Sequence, residues 1–553
     1  MVDYVVVGGG SAGCVVASRL SEEPDVAVGL RGAGPNDWHP AIHIPAGMLW
    51  LMFSRRLNWQ FTTRPEAELA GRAMFWPRGR MLGGSSSMNA MCYTRGHAFD
   101  YDHWAALGNR GWSYAEVLPY FKRSEHQERG ADAFHGVGGP LNVMDFGRPN
   151  VLTQRFLEAA EQAGFPLNKD VNGAEQEGVG YFQVTQKNGR RCSAAQAFLP
   201  KAVRERPNLT VLTGAQATRL VLQGRHIQGV EFRQGRHTRR VQARVEVIVS
   251  AGAVQSPQLL MLSGIGDAAH LREFGIDTVH HLPGVGRNLQ DHLDVTLTHS
   301  SLQRVSAGLS WRNCLRMPGA AVEWLTRNSG ILTNNGAEGC GFIKSSPSEA
   351  IPDLQLHFMP ASLRDHGRDL RFITQEGYTM HVCQLRPKSR GRITLAGKDP
   401  MQAPNIDAAY LTHPDDIRTL IKGVRQVRRI FASPAFDAYR GNEVSPGPDA
   451  VSDEALERYI RAHAETIYHP VGTCRMGADD MAVVDDQLRV HGVRGLRVVD
   501  ASIMPTLIGG NTNAPAIMIG EKAAEMILQA RRQGTGRRRA AAAAQSEGCA
   551  YAA

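Results

Sequence analysis

No run in this chain approaches the eighteen or so consecutive apolar residues that a membrane-spanning helix requires, so none is expected. Cysteine is sparse: the eight residues Cys14, Cys92, Cys192, Cys314, Cys340, Cys383, Cys474 and Cys549 are scattered through 553 positions without a C-x-x-C pair. That scatter argues against a disulfide framework and against a metal site, and it suits a reducing compartment. An excess of one charge is also missing from most of the chain. The formal net charge is +9, but five positive charges are Arg531, Arg532, Arg537, Arg538 and Arg539, in one tail. The rest is mildly basic and has no basic patch interleaved with aromatics, which argues against nucleic acid as a partner.

What is present fits a large globular protein. Apolar residues make up 42% and charged residues 21% of the chain, ordinary values for a globular protein, and the length suggests two or more domains. Fifty-eight glycines suit a fold with many tight turns and close approaches of backbone to ligand. A strand beginning at residue 4 leaves no room for a secretory leader. The expected location is the cytoplasm, with peripheral contact to the inner face of the cell membrane left open. The tail 531–553 reads as disordered or as a frayed extension of the last helix, and its arginines offer a modest contact to anionic lipid.

The most informative stretch is at the start. The apolar run 4–7 leads directly into Gly8-x-Gly10-x-x-Gly13 and then into the apolar-periodic segment 14–20. Strand, turn and helix in that order form a dinucleotide-binding unit. Gly8 permits the turn, Gly10 lets backbone approach a pyrophosphate, and Gly13 lets helix pack closely on strand. Ser11 and Ala12 open the helix, whose free N–H groups face the phosphates. One expected feature is absent. The second strand, 26–30, should end in a carboxylate for the adenosine ribose, but Arg31-Gly32-Ala33-Gly34 follow it and no acid occurs before Asp37.

Further along, Trp38, Trp50, Phe53, Trp59, Phe61, Phe75 and Trp76 are expected to pack in the core. Residues 77–90 then bring together Arg80, Gly83, Gly84, Ser85, Asn89 and Ala90 with bulky Met81, Leu82, Met88 and Met91. So many small residues predict a loop whose backbone lies against a ligand, packed by its larger neighbours.

With Tyr93-Thr94-Arg95-Gly96, Asp100-Tyr101-Asp102-His103-Trp104 and Gly111-Trp112-Ser113-Tyr114, this segment resembles the first signature of the glucose–methanol–choline (GMC) oxidoreductases. Gly252-Ala253-Val254-Gln255-Ser256-Pro257 resembles the second, with Pro257 predicted as the first helical position. Gly284-Val285-Gly286-Arg287-Asn288-Leu289-Gln290-Asp291-His292 and His469-Pro470-Val471-Gly472-Thr473-Cys474 extend the resemblance over nearly the whole chain. In pattern it is closest to bacterial choline dehydrogenases and to aliphatic-alcohol and polyethylene-glycol dehydrogenases.

The resemblance implies an α/β fold (α+β overall) in which a Rossmann-like FAD-binding domain (1–146, 190–298 and 466–530) interleaves with a sheet-and-helix substrate-binding domain (147–189 and 299–465). It implies FAD held by the first glycine turn, by Arg80, Gly83, Gly84, Ser85, Asn89, Ala90 and Met91, and by Ala217, Ala251 and Gly252. Asp500, Ala501, Asn511, Thr512 and Asn513 complete that set. Relatives that attach FAD covalently do so through a histidine directly before the asparagine; here that residue is Met88, so non-covalent FAD is expected.

His469 falls on the family's active-site histidine. Imidazole titrates near neutrality, so its neutral form can take the alcohol proton while hydride leaves for flavin N5. Asn511 falls on the second position, where its amide can donate to the substrate oxygen; Asn513 is the alternative if the register slips. Asp500 is expected to reach the ribityl or phosphate region, and the helix starting near Pro515 to point its positive end at the reduced flavin. The implied reaction is oxidation of a primary alcohol to an aldehyde, with electrons passed to a quinone or other carrier. An oxygen-using oxidase, a lyase on the same scaffold, and a cofactor-poor, non-catalytic flavoprotein, the last motivated by Gly32, are the rivals.

Overall fold

The computed structural model describes residues 1–550, with Leu370 and residues 534–550 described in backbone only, so Arg537, Arg538 and Arg539 lie outside the described side chains. Two seven-stranded sheets organise the chain. In the first, Leu209–Leu212, Val28–Arg31, Val2–Val7, His237–Val249 and Leu496–Val498 run parallel in that order. At its centre Val5, Val6, Val7, Val28, Leu30, Val247, Ile248, Val249, Leu496 and Val498 are buried on both faces, as parallel sheets require. The long strand His237–Val249 continues beyond this core and pairs antiparallel with His226–Gln234, which pairs with Ala215–Gln223.

The second sheet is antiparallel and orders Arg440–Ser445, Leu293–Ser301, Gly377–Gln384, Leu354–Met359, Gly339–Ile343 and Gly178–Tyr181, with Glu465–Thr466 also paired to Leu293–Ser301. Strand side chains alternate between faces. Leu354, Leu356 and Phe358 with Tyr378, Met380 and Val382 form an apolar face, and Phe358 and Tyr378 meet Phe431 of helix Pro414–Phe431 edge-on. Gln355, His357 and His381 fall on the other face, toward the cavity described below. Strand Leu293–Ser301 belongs to this sheet, pairing with Gly377–Gln384.

The first turn follows the sequence closely. Gly8 has φ +105°, and a Cβ there would lie 2.2 Å from the Ser250 carbonyl oxygen; a Cβ on Gly13 would lie 1.9 Å from that of Gly8. No larger residue fits either position. The second signature differs from expectation. Its helix is Gly252–Leu262, so Pro257 lies in the interior. Proline there removes the bond to the carbonyl four residues back, that of Ala253. The Thr473 hydroxyl supplies the missing donor, 2.6 Å from the Ala253 oxygen, and so ties the His469 segment to this helix. Thr473→Val keeps the shape and removes the donor; unfolding stability should fall by about 1–3 kcal/mol in denaturant melts.

Three aromatics depart from the expected core packing: Trp38, Trp50 and Phe53 are 77%, 51% and 54% exposed, while Phe61 and Trp76 are buried. The last helix, Asn513–Ala550, carries the start of the basic tail. Arg531 and Arg532 pair with Asp25 and Glu23, each at 2.7 Å. Among the described residues no helix is long and apolar enough to cross a membrane.

Candidate active site

A cavity of about 780 Å³ lies between the two sheets, within the range of small-molecule and cofactor clefts. One end is walled by Gly8, Gly10, Ser11 and Ala12, with Gly32 and Ala217 beside them. Helix Ser11–Leu20 begins there with no acidic residue in its first turn and no side-chain cap, leaving its N–H groups for an anion. A Cβ on Gly10 would meet nothing closer than 4.0 Å, so the backbone at this point faces open space of the kind a pyrophosphate fills. Arg80, Gly84, Ser85, Asn89, Ala90, Ala251, Gly252, Ala501, Thr512 and Asn513 also line the cavity. The residues present therefore fit a dinucleotide.

Not every residue expected on the cofactor reaches the wall. Gly13 acts through helix packing, as above. Gly83 (φ +88°) sits where a Cβ would collide with Ser87 Oγ at 2.1 Å, so it shapes the turn. Met91 is fully buried in a left-handed conformation, and its carbonyl accepts from the Thr185 N–H. Asp500 lines the cavity, but both carboxylate oxygens are engaged: one accepts from Gly252 N–H at 2.9 Å and Ser256 Oγ at 2.6 Å, the other from Ser502 N–H at 2.8 Å. It caps two turns and orders the wall. Asn513 Oδ1 accepts from Ser11 Oγ at 2.7 Å, which places it at the glycine turn and leaves Asn511 alone beside His469.

At the other end, His469 Nε2 lies 3.2 Å from Asn511 Nδ2. The Asn511 oxygen accepts from Gln355 Nε2 at 3.0 Å and Thr94 Oγ1 at 3.3 Å, which turns its amide nitrogen toward the histidine. His469 Nδ1 is 2.9 Å from His292 Nδ1, and His292 Nε2 is 3.1 Å from the Leu385 carbonyl. A carbonyl only accepts, so His292 carries its proton on Nε2 and presents a lone pair at Nδ1. His469 therefore donates from Nδ1 and keeps a lone pair on Nε2, facing the cavity.

Both rings are held neutral. Burial pushes His292 down to about 3. Burial, then repulsion from His292, His357 and Arg78, pushes His469 well below its ordinary value. The His469 backbone N–H donates at 2.6 Å to Asp291, whose carboxylate also accepts from Thr466 and Tyr410 and is pushed up to about 6 by burial.

Asp291 and His292 belong to the 284–292 segment, which the sequence offers only as part of the family resemblance. Adjacent acid and imidazole in that run were the one available signal. His292→Phe removes the acceptor for His469 Nδ1–H; turnover should fall about ten- to a hundredfold, the cost of an orphaned buried donor, with the melting curve of the FAD-loaded protein as control. A second cluster, Asp294, His366 and His381, lies under the same sheet face, with His381 Nδ1 2.5 Å from Asp294 and His366 Nδ1 2.5 Å from the Tyr468 hydroxyl.

The pattern described as GMC oxidoreductase matches residues 2–294 in its N-terminal part and 387–520 in its C-terminal part. The chain belongs to the GMC oxidoreductases. As a member it is an enzyme and an FAD-binding flavoprotein. It is 49% identical over 532 residues to "Alcohol dehydrogenase [acceptor]" of Pseudomonas putida, covering 96% of both chains. To "Oxygen-dependent choline dehydrogenase" of Brucella ovis it is 45% identical over 528 residues, covering 95% of both. Among solved structures, pyridoxine 4-oxidase from Mesorbium loti superposes with a TM-score of 0.86 at 33% identity, covering 95% of this chain and 99% of that one. The Aspergillus oryzae formate oxidase gives 0.89 at 27%, covering 96% and 99%.

Proposed function

We propose that this GMC oxidoreductase oxidises a primary alcohol to the aldehyde, with His469 as general base and Asn511 as donor to the substrate oxygen. The observation that carries the proposal is the His469 Nε2 lone pair converging with the Asn511 amide at one end of a dinucleotide-shaped cavity. FAD, when bound, supplies the hydride acceptor. The protein takes the hydroxyl proton on His469 Nε2, steadies the oxygen with Asn511, and screens the site from water with the second sheet. The family domain division carries over, with its second unit beginning at 293. FAD is held without a covalent bond, since Met88 offers no imidazole.

The reacting group is reached past Met48, Leu49, Met52, Leu309, Leu363 and Ile373, and Asp500 is the only acid on the cavity wall among the described residues. With its carboxylate already engaged, no free anion faces a quaternary ammonium, and of the wall's aromatic rings Trp59 already carries Arg80 over its face and Tyr468 packs against His366. An uncharged aliphatic alcohol fits this lining better than choline. The test is anaerobic addition of octanol, a glycol or choline to the yellow protein; flavin bleaching by octanol at lower concentration than by choline is expected, and the reverse order would overturn the substrate reading.

We place the electrons with a quinone-type carrier. Two relatives carry names that point different ways, one to an acceptor and one to oxygen, so dye reduction and oxygen consumption should be run side by side. Peroxide formed as fast as dye is reduced would overturn the carrier assignment.

The buried, neutral His469 also sets the pH dependence. Because its pKa is lowered, the base stays unprotonated as pH falls through the ordinary imidazole value of about 6.5. The acid limb of kcat/KM should lie below that pH; a limb at or above it would contradict the burial argument.

A further inference from the structure

The helix Trp311–Arg327 is apolar around more of its circumference than the fold covers. On one side Ala320 and Trp324 are buried against Leu332, Ile44 and Ala46, and Asn313 and Met317 line the cavity. On the solvent side Trp311, Leu315, Val322 and Leu325 recur at helical spacing and form one stripe. They are 69%, 72%, 59% and 69% exposed. A helix that meets only water on that side carries polar residues there; this one carries four large apolar side chains along a length of about 21 Å. Arg312 lies about a quarter turn from the stripe, Arg316 and Arg327 lie further round on the polar side, and none of the three makes an ion pair among the described residues, while Glu323 is the helix's single acid. The short helix Met48–Phe53 adds exposed Trp50 and Phe53, and its Met48, Leu49 and Met52 line the same cavity.

We propose that this face, the outer side of helix Trp311–Arg327 with Trp50 and Phe53, docks on the surface of a lipid bilayer rich in anionic headgroups. An amphipathic helix with large apolar residues on one face and arginines on its polar side lies in the plane of such an interface, its apolar side chains among the acyl chains. Tryptophan prefers that depth, and each arginine gains from the negative surface potential. A second copy in a two-fold contact would bring the same arginines against each other, which disfavours self-association. Both helices wall the cavity from inside while facing outward with apolar residues, so a lipid-soluble alcohol dissolved in the bilayer reaches the site without crossing water. The proposal does not depend on the identity of the alcohol.

The test is co-sedimentation of the FAD-loaded full chain with vesicles of phosphatidylcholine mixed with phosphatidylglycerol. Wild type is expected to bind, more weakly as salt rises. Leu315→Glu combined with Leu325→Glu should lower partitioning by more than about tenfold, since two leucines lose their burial. Both positions are exposed and off the cavity wall, so the melting temperature and turnover of a short water-soluble alcohol should be unchanged. Equal partitioning of variant and wild type, or no binding by wild type, would overturn the proposal. So would sedimentation of wild type as a dimer without lipid that the double variant converts to monomer, because the occupant would then be a second copy.

Discussion

His469→Gln is expected to lower kcat/KM for the alcohol by about 10²- to 10⁴-fold while the purified protein stays yellow and melts at the wild-type temperature. Glutamine fills much the same space and can hydrogen-bond to Asn511 and His292, but it has no lone pair able to take a proton near neutral pH. The loss should therefore fall on flavin bleaching by substrate in anaerobic stopped flow, with little change in substrate affinity. Asn511 sets the floor: its amide still meets the oxygen, and that oriented donor should preserve a residual rate above that of free flavin. A variant that bleaches at the wild-type rate would show that the proton leaves by another route, and His292 is too far inside the wall to provide one without His469. Loss of colour on purification would instead assign His469 a role in holding the cofactor.

The juxtaposed pair proposed as catalytic was legible in sequence because each member sits in a short local pattern, His469 before Pro470 and Asn511 at a fixed distance before the last helix. What gives His469 its chemistry could not. Its tautomer is set by His292, 177 residues away, and that ring is set in turn by the Leu385 carbonyl on a third segment. Local sequence does not encode which ring nitrogen meets which acceptor. Asp500 shows the same limit: sequence places an acid on the cavity wall, but not the three donors from its surroundings that claim its oxygens. Pro257 was placed at a helix start because proline in a helix interior is costly, and the compensating hydroxyl of Thr473 comes from a segment 220 positions on. Gly8 and Gly13 were legible without error because their constraint lies within one strand–turn–helix unit. The exposed Trp38, Trp50 and Phe53 were misread for a different reason. Aromatics are usually buried to shed water, and sequence does not say whether the apolar medium that receives them belongs to the protein.

Gly32→Glu is expected to tighten FAD binding about ten- to a hundredfold, measured as the dissociation constant of apoprotein titrated with FAD. The strand Val28–Arg31 ends at the cavity wall, and Gly32 lines it where a carboxylate would meet the adenosine ribose. No other acid substitutes for it. Asp37 is buried and already accepts from Gln196 Nε2 at 2.5 Å and from Arg204 at 3.0 Å. Arg31 turns its guanidinium back to the Leu30 carbonyl and over the Phe232 ring. There is room for the change: a Cβ on Gly32 would lie 4.0 Å from its nearest neighbour, the Leu212 oxygen. The backbone bonds of Gly32 to Leu212 and Ala215 do not involve the side chain. A charge-assisted hydrogen bond to a ribose hydroxyl contributes about 1.5–3 kcal/mol, which gives the stated range. Because the dyad lies at the far end of the cavity, kcat of the fully loaded variant should match wild type, separating cofactor retention from chemistry. Equal dissociation constants in the two proteins would mean that the ribose is held by other groups. In either case the intact pairing of His469 with Asn511 argues that a glycine at this position affects how long FAD stays bound and leaves the reaction it supports unchanged.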